Sequence, residues 1–371
     1  MLTQSLHHNH NIVGVSRPSQ ANERIKGHTL STKKADVYGI GHALVDLQYS
    51  VSDHFLDDHG ITKGVMTLLA EEEQHALCQA LGDETQAASS GGSAANTMIA
   101  IAQYGGRAHY SFKVGDDDWG RFYREDLERA GVTSGSEVES KGTTGKCLVM
   151  VTPDADRTLN TFLGMSSEVG PGQLEAEVID GSDFVYVEGY LVTSDTGHAA
   201  GMQAMEAARS GGTAVALTLS DPAIVGAFTE RFQQLLSPSV DLLFCNEDEA
   251  GALTGASDRS CACLGLKRQA TRVCMTCGAD GALIMDADDE LPQHVAGFPV
   301  DAIDTTGAGD AFTGGVLFGL THGYGLKDAA VLGNYAAAEV VSDYGPRLLR
   351  SLQADVGDIL KGAYQNPSSA R

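Results

Sequence analysis

The chain has 371 residues, 42% hydrophobic and 20% charged, a globular composition long enough for one large domain or two. Its net charge of -24 argues against nucleic acid and anionic membranes as main partners, and no apolar run is long enough to span a bilayer. Seven cysteines without a secretory leader point to a reducing, cytoplasmic setting.

Residues 1–34 stand apart: five Lys or Arg face one acid, Glu23, while the remainder carries 20 basic and 48 acidic residues. "SLHHNHNIVG" has clustered histidines and no apolar period, so a flexible tail is expected, with a weak organelle-targeting signal as the alternative. From Ala35 short apolar runs alternate with helical periods. "ADVYGIG" (35–41), "AHYSFKVG" (108–115), "DFVYVEGY" (183–190), "TAVALTLS" (213–220), "VDLLFCN" (240–246) and "RVCMTCG" (272–278) read as strands. Between them Ala95, Met98, Ile99 and Ala102 share a helical face, and "GHAAGMQAMEAARSGG" reads as a helix with a glycine stop. The alternation predicts an α/β domain over 35–365, a mainly parallel sheet covered on both faces, with sites at the carboxyl ends of its strands. Two segments, 47–69 and 142–164, break the rhythm as strand-rich insertions suited to a small β-sheet lid. The second is expected to turn back at Pro153-Asp154-Ala155-Asp156.

Several familiar chemistries are missing. No GxxxxGK[ST] occurs, "GIGHAL" lacks the last glycine of a dinucleotide fingerprint, and "GGSAAN" lacks that of a nucleophile elbow. Cys261-x-Cys263 and Cys274-x-x-Cys277 have zinc-like spacing, but Cys274 lies in an apolar run where cysteine acts as a small hydrophobe. Free thiols, and no zinc, are expected.

The stretch "DTTGAGDAFTGG" (304–315) places Gly307-Ala308-Gly309 before Asp310 at a predicted helix start, after "FPVDAID" ends as a strand or turn. Backbone amides there form an anion hole aided by the helix dipole. Asp310 beside a bound phosphate has a role as acceptor of a substrate hydroxyl's proton. The plainer alternative is a first-turn helix charge.

Together with "GGSAANTMIAIAQYGGRAHYSFKVGDDDWG" (91–120), "CNEDEA" and "TCGADGAL", this stretch makes the chain resemble the PfkB, ribokinase-like, family of sugar and nucleoside kinases over about residues 36–350. The resemblance implies a three-layer α/β/α core with a β-sheet lid, ATP as phosphoryl donor, Mg²⁺ and, in some members, K⁺. It implies Asp310 as general base with the amides of Gly307, Ala308 and Gly309 around the transferred group. Asn246 and Glu249 match the motif that organises Mg²⁺ through water, and Asp304 with Thr306 resembles part of a monovalent-cation site. Asp46, Gly92 and Asn96 match acceptor-binding positions. Thr276, Gly278 and Gly281 match the nucleotide-phosphate turn, Asn334 the adenine side of ATP, and Arg157 a lid residue reaching the phosphates.

The family signatures do not choose the acceptor. "YGIGHALVDLQYSV" and "TGKCLVMVTPDADRTLNTFLG" look most like the adenosine kinases of the family, and Leu159 and Phe162 are expected to cover a purine from the lid. The expected reaction is phosphoryl transfer to the 5'-hydroxyl of adenosine. A ribokinase- or fructokinase-type sugar kinase is the alternative, and an inactive nucleotide-binding relative a third reading. Either a monomer or a lid-paired homodimer suits such a lid.

Overall fold

Strands buried on both faces form the spine of the molecule. β1 (Val37–Ile40), β5 (Ala108–Ser111) and β9 (Phe184–Val187) are buried at every position, the pattern of a sheet with helices on both sides. A computed structural model describes residues 33–365 apart from 83, 84, 86, 136–140, 155 and 238. The expectations for the tail fall, up to residue 32, outside the described residues. Lys33 and Lys34 are tied down, Lys33 to Asp36 and Asp183 and Lys34 to Glu177.

Nine strands make the main sheet. To the three above it adds β6 (Thr133–Ser134), β10 (Ala214–Thr218), β11 (Val240–Asn246), β12 (Ala270–Thr276), β13 (Ala282–Met285) and β14 (Gln293–Val295). Their order is β14-β13-β12-β11-β10-β9-β1-β5-β6, with only the β12–β13 and β13–β14 pairs antiparallel. Successive side chains alternate between two apolar clusters. Val37 and Phe184 join the one containing helices Ser93–Gln103, Ala308–Thr321 and Leu326–Val341, while Tyr38 and Val185 join the one containing helix Asp195–Gly211. The architecture is therefore a three-layer α/β/α sandwich.

A second sheet has the order β3-β8-β7-β2-β4, from β2 (Leu44–Ser50), β3 (Met66–Leu68), β4 (Ala87–Gly91), β7 (Thr144–Val151) and β8 (Arg157–Gly164). β7 and β8 form an antiparallel hairpin. On β2 burial alternates: Val45, Leu47 and Tyr49 face the core, while Asp46 and Gln48 face the other way. The segment 47–69 is less strand-rich than expected. It holds the end of β2, a helix Asp53–Asp58 capped by Ser52 and only three residues of β3. "FPVDAID" carries no strand at all and runs as an irregular link to the helix at Ala308.

Candidate active site

The helix Ala308–Thr321 begins on Gly307, whose φ of 77° is left-handed and whose Cβ, if present, would lie 2.3 Å from the Pro346 carbonyl oxygen. Only glycine fits there. The Ala308 N–H turns to Thr305 O at 3.3 Å, which leaves the Gly307 and Gly309 amides without acceptors among the described residues. Space in front of Gly309 is open. Of the three amides expected to form an anion hole, two are thus open.

Asp310 follows in the first turn. Ser93 Oγ donates to its Oδ1 at 2.6 Å and Asn96 Nδ2 to its Oδ2 at 3.1 Å. Ser93 and Asn96 lie three apart on helix Ser93–Gln103, so one helical face presents both donors. Burial pushes the Asp310 carboxyl up to about 7; the two hydrogen bonds oppose the rise and the charges of Glu188 and Asp46 add to it. Near neutrality this group takes up and releases a proton easily, as a general base requires.

Across the cavity β11 ends at Asn246, which caps helix Glu247–Thr254. Asn246 Oδ1 accepts the Glu249 N–H at 2.8 Å, and the Glu249 carboxylate accepts the Asn246 N–H at 3.0 Å and its Nδ2 at 2.8 Å. Glu249 is 5% exposed. Burial raises its carboxyl to about 7, the Asn246 backbone N–H opposes this, and Asp221, Asp310 and Asp248 push it higher. Asn246, Glu249, Thr276, Ser93, Gly309 and Asp310 line one cavity. Thr276 ends β12, and Gly278 and Gly281 bracket the short turn after it.

A second pocket opens between the small sheet and the core, lined by Asp46, Gln48 and Leu159 from the sheet and by Thr306, Tyr344 and Arg347 from the core. Asp46 lies over Gly91, where a Cβ would approach its Oδ2 to 2.3 Å. Burial raises the Asp46 carboxyl to about 6 against the pull of Arg347 and Arg157. Gly92 caps helix Ser93–Gln103 between this pocket and Asp310.

One expectation needs correction. Phe162 lines a different pocket, with Leu68 and Lys141, and not the one holding Asp46 and Leu159. The reason is strand geometry: residues three apart on β8 point to opposite faces. Asn334 is 5% exposed and its Nδ2 donates to the Val295 and Ala296 carbonyls, both at 3.0 Å, so it tethers the end of β14. Arg157 lies in the Asp46 pocket, paired with Asp304 and donating to Gln48 Oε1 at 3.0 Å. Asp304 also accepts the Thr306 N–H at 3.0 Å and the Gly345 N–H at 2.8 Å. Its charge is thus met by a guanidinium and two backbone amides. Of the four cysteines with zinc-like spacing, Cys263, Cys274 and Cys277 are buried and Cys261 is exposed, and none is in a disulfide.

Ser93, Arg347 and Gln48 were not singled out by the sequence. Ser93 had a signal, since it sits between the glycine pair and Asn96 at helical spacing. Gln48 had one too, because strand alternation puts it on the face of Asp46. Arg347, in an irregular segment far along the chain, had none.

The description "pfkB family carbohydrate kinase" fits residues 61–352. An adenosine kinase of Schizophyllum commune is 30% identical over 337 residues, 84% of this chain and 96% of that protein. A ribokinase of Mus musculus is 29% identical over 267 residues, 69% of this chain and 79% of that protein. The solved adenosine kinase of Sinorhizobium meliloti superposes with a TM-score of 0.80 at 35% identity, covering 88% of this chain and 99% of that one.

Proposed function

Because the chain belongs to the pfkB family of carbohydrate kinases, a ribokinase-like ATP-dependent kinase of nucleosides or sugars, we propose that its acceptor is adenosine, phosphorylated at the 5'-hydroxyl. The observation that carries the catalytic reading is Asp310: a carboxyl near 7, fixed by Ser93 and Asn96, behind two open amides at a helix start. In this reading Asp310 accepts the hydroxyl proton as the oxygen attacks phosphorus. The Gly307 and Gly309 amides receive charge on the transferred group.

The nucleotide reading assigns the phosphate chain to the cavity under Thr276 and the turn at Gly278 and Gly281. Among the described residues no group of three or more His, Cys, Asp or Glu converges as metal ligands. Burial raises the Glu249 carboxyl, and the carboxylates of Asp221, Asp310 and Asp248 lie close enough to push it higher. This donor set fits Mg²⁺ held mainly by water and phosphate beside Asn246 and Glu249. When bound, the ion neutralises phosphate charge. The seven cysteines suit a reducing cytoplasm, and no helix among the described residues is long and apolar enough to cross a membrane.

Acceptor choice rests on the second pocket. Leu159, Val149, Tyr344 and Leu349 give it apolar walls of the kind a purine uses, while Asp46 is suited to ribose hydroxyls. The adenosine kinases reported above support the same acceptor. The mouse ribokinase favours a sugar as the second reading. A phosphate-transfer screen with labelled ATP over adenosine, inosine, guanosine, ribose and fructose decides between them. Adenosine should give the highest kcat/KM; a higher value for ribose or fructose would overturn the nucleoside reading and leave the kinase intact.

A further inference from the structure

Asp46 combines features that conflict. It is largely enclosed, carries charge only against the cost of burial, and receives no hydrogen bond from any described residue. A buried carboxylate left this way tends to take up a proton. One locked in a salt bridge would have to break it before accepting a substrate hydroxyl. The surroundings offer a third arrangement.

Arg347 shares the pocket with Asp46, and its guanidinium is bonded elsewhere. Its Nη1 donates to Asp126 Oδ2 at 2.9 Å and its Nη2 to Ser90 Oγ at 2.6 Å. Ser90 in turn donates to Asp126 Oδ2 from its N–H at 2.8 Å and from its Oγ at 2.9 Å. The triangle is anchored on β4, one residue from Gly91, over which the Asp46 carboxylate lies. The Arg347 side chain is 14% exposed, and its Nε is buried with no partner. Arg157 is likewise bonded to Asp304 and Gln48.

We propose that Arg347 is a positioning residue for the acceptor: its fixed charge keeps Asp46 ionised without bonding to it, so both carboxylate oxygens stay available to substrate hydroxyls. This rests on Asp46 being the group that holds those hydroxyls. The other titratable groups acting on or beside Asp46 are Arg157 of β8, Cys147 of β7, Tyr123 of helix Asp118–Arg129 and Asp310. Arg347 acts from the core side. Arg157 acts from the small sheet, and its bond to Asp304 ties it to the loop before Asp310's helix.

The test is calorimetric binding of adenosine, without ATP, across about pH 5 to 8, in the full chain carrying Asp310→Asn so that the Asp310 carboxyl no longer titrates, while Glu249, which lines the other cavity, titrates alike in every variant compared. Affinity should fall about tenfold per pH unit below the Asp46 midpoint, near 6. Arg347→Met should move that midpoint up by about one pH unit, and Arg347→Lys should hold it in place. If the Met variant does not fold, Arg347→Gln takes its place, since it can still bond Ser90 without the charge. A loss of affinity by the same factor at every pH would make Arg347 a packing residue and overturn the inference. Asp46→Asn in the same background separates the two claims. If pH dependence survives it, the Asp46 reading fails; if it vanishes there while Arg347→Met leaves the midpoint unmoved, only the role of Arg347 fails.

Discussion

Ser93 Oγ donates to Asp310 Oδ1 at 2.6 Å, joining residues 217 positions apart. The bond stabilises the ionised carboxylate, so it restrains a group that burial has already raised to about 7. Ser93→Ala should therefore raise the carboxyl further. Catalysis needs it ionised, so the acid limb of kcat should move to higher pH. A profile that does not move would show that the serine does not tune the base.

The same carboxyls carry a stability cost. Asp310 and Glu249, both raised to about 7, bind protons more tightly folded than unfolded, where carboxyls titrate near about 4. Their contribution is full below the unfolded value and is lost as pH rises through the folded one. Without ligands, Asp310→Asn and Glu249→Gln should each raise Tm at pH 8, by roughly 1–3 kcal/mol of stability, with the gain shrinking toward pH 5. Equal or lower Tm at pH 8 in both variants would contradict the raised carboxyls.

Lid selectivity follows from register. Leu159 faces the Asp46 pocket and Phe162 does not. Leu159→Ala should raise KM for adenosine by about 1–3 kcal/mol in binding, with less effect on ribose. Phe162→Ala should leave adenosine KM nearly unchanged; the reverse pattern would put the base on the other face.

Much of this was legible in the chain and some was not. The six apolar runs each contain a main-sheet strand, because a strand covered on both faces has to be apolar throughout. β4, "AASSG", is small and polar, and its pairing with β2 comes from tertiary context, which local propensity does not carry. Asp310 and the Asn246–Glu249 pair were readable because short motifs hold them on element ends. The face of Phe162 is also readable, because residues three apart on a strand point to opposite faces. Arg347 and Asp46 lie on segments 301 positions apart, and nothing local links them.

Mg²⁺ dependence tests the acid opposite the base. Glu249→Gln can keep part of the cap on Asn246 while losing the charge. It should raise the Mg²⁺ concentration needed for half-maximal rate. A Mg²⁺ dependence identical to that of the parent would remove Glu249 from the metal's surroundings.

The most direct measurement is the turnover of Asp310→Asn with adenosine and MgATP at saturating concentrations, beside ATP binding by the same variant. The substitution keeps the shape and an acceptor for Ser93 while removing the proton acceptor. Turnover should fall by about 10²–10⁴-fold with ATP affinity nearly unchanged. Turnover within a few-fold of the parent would contradict Asp310 as the base.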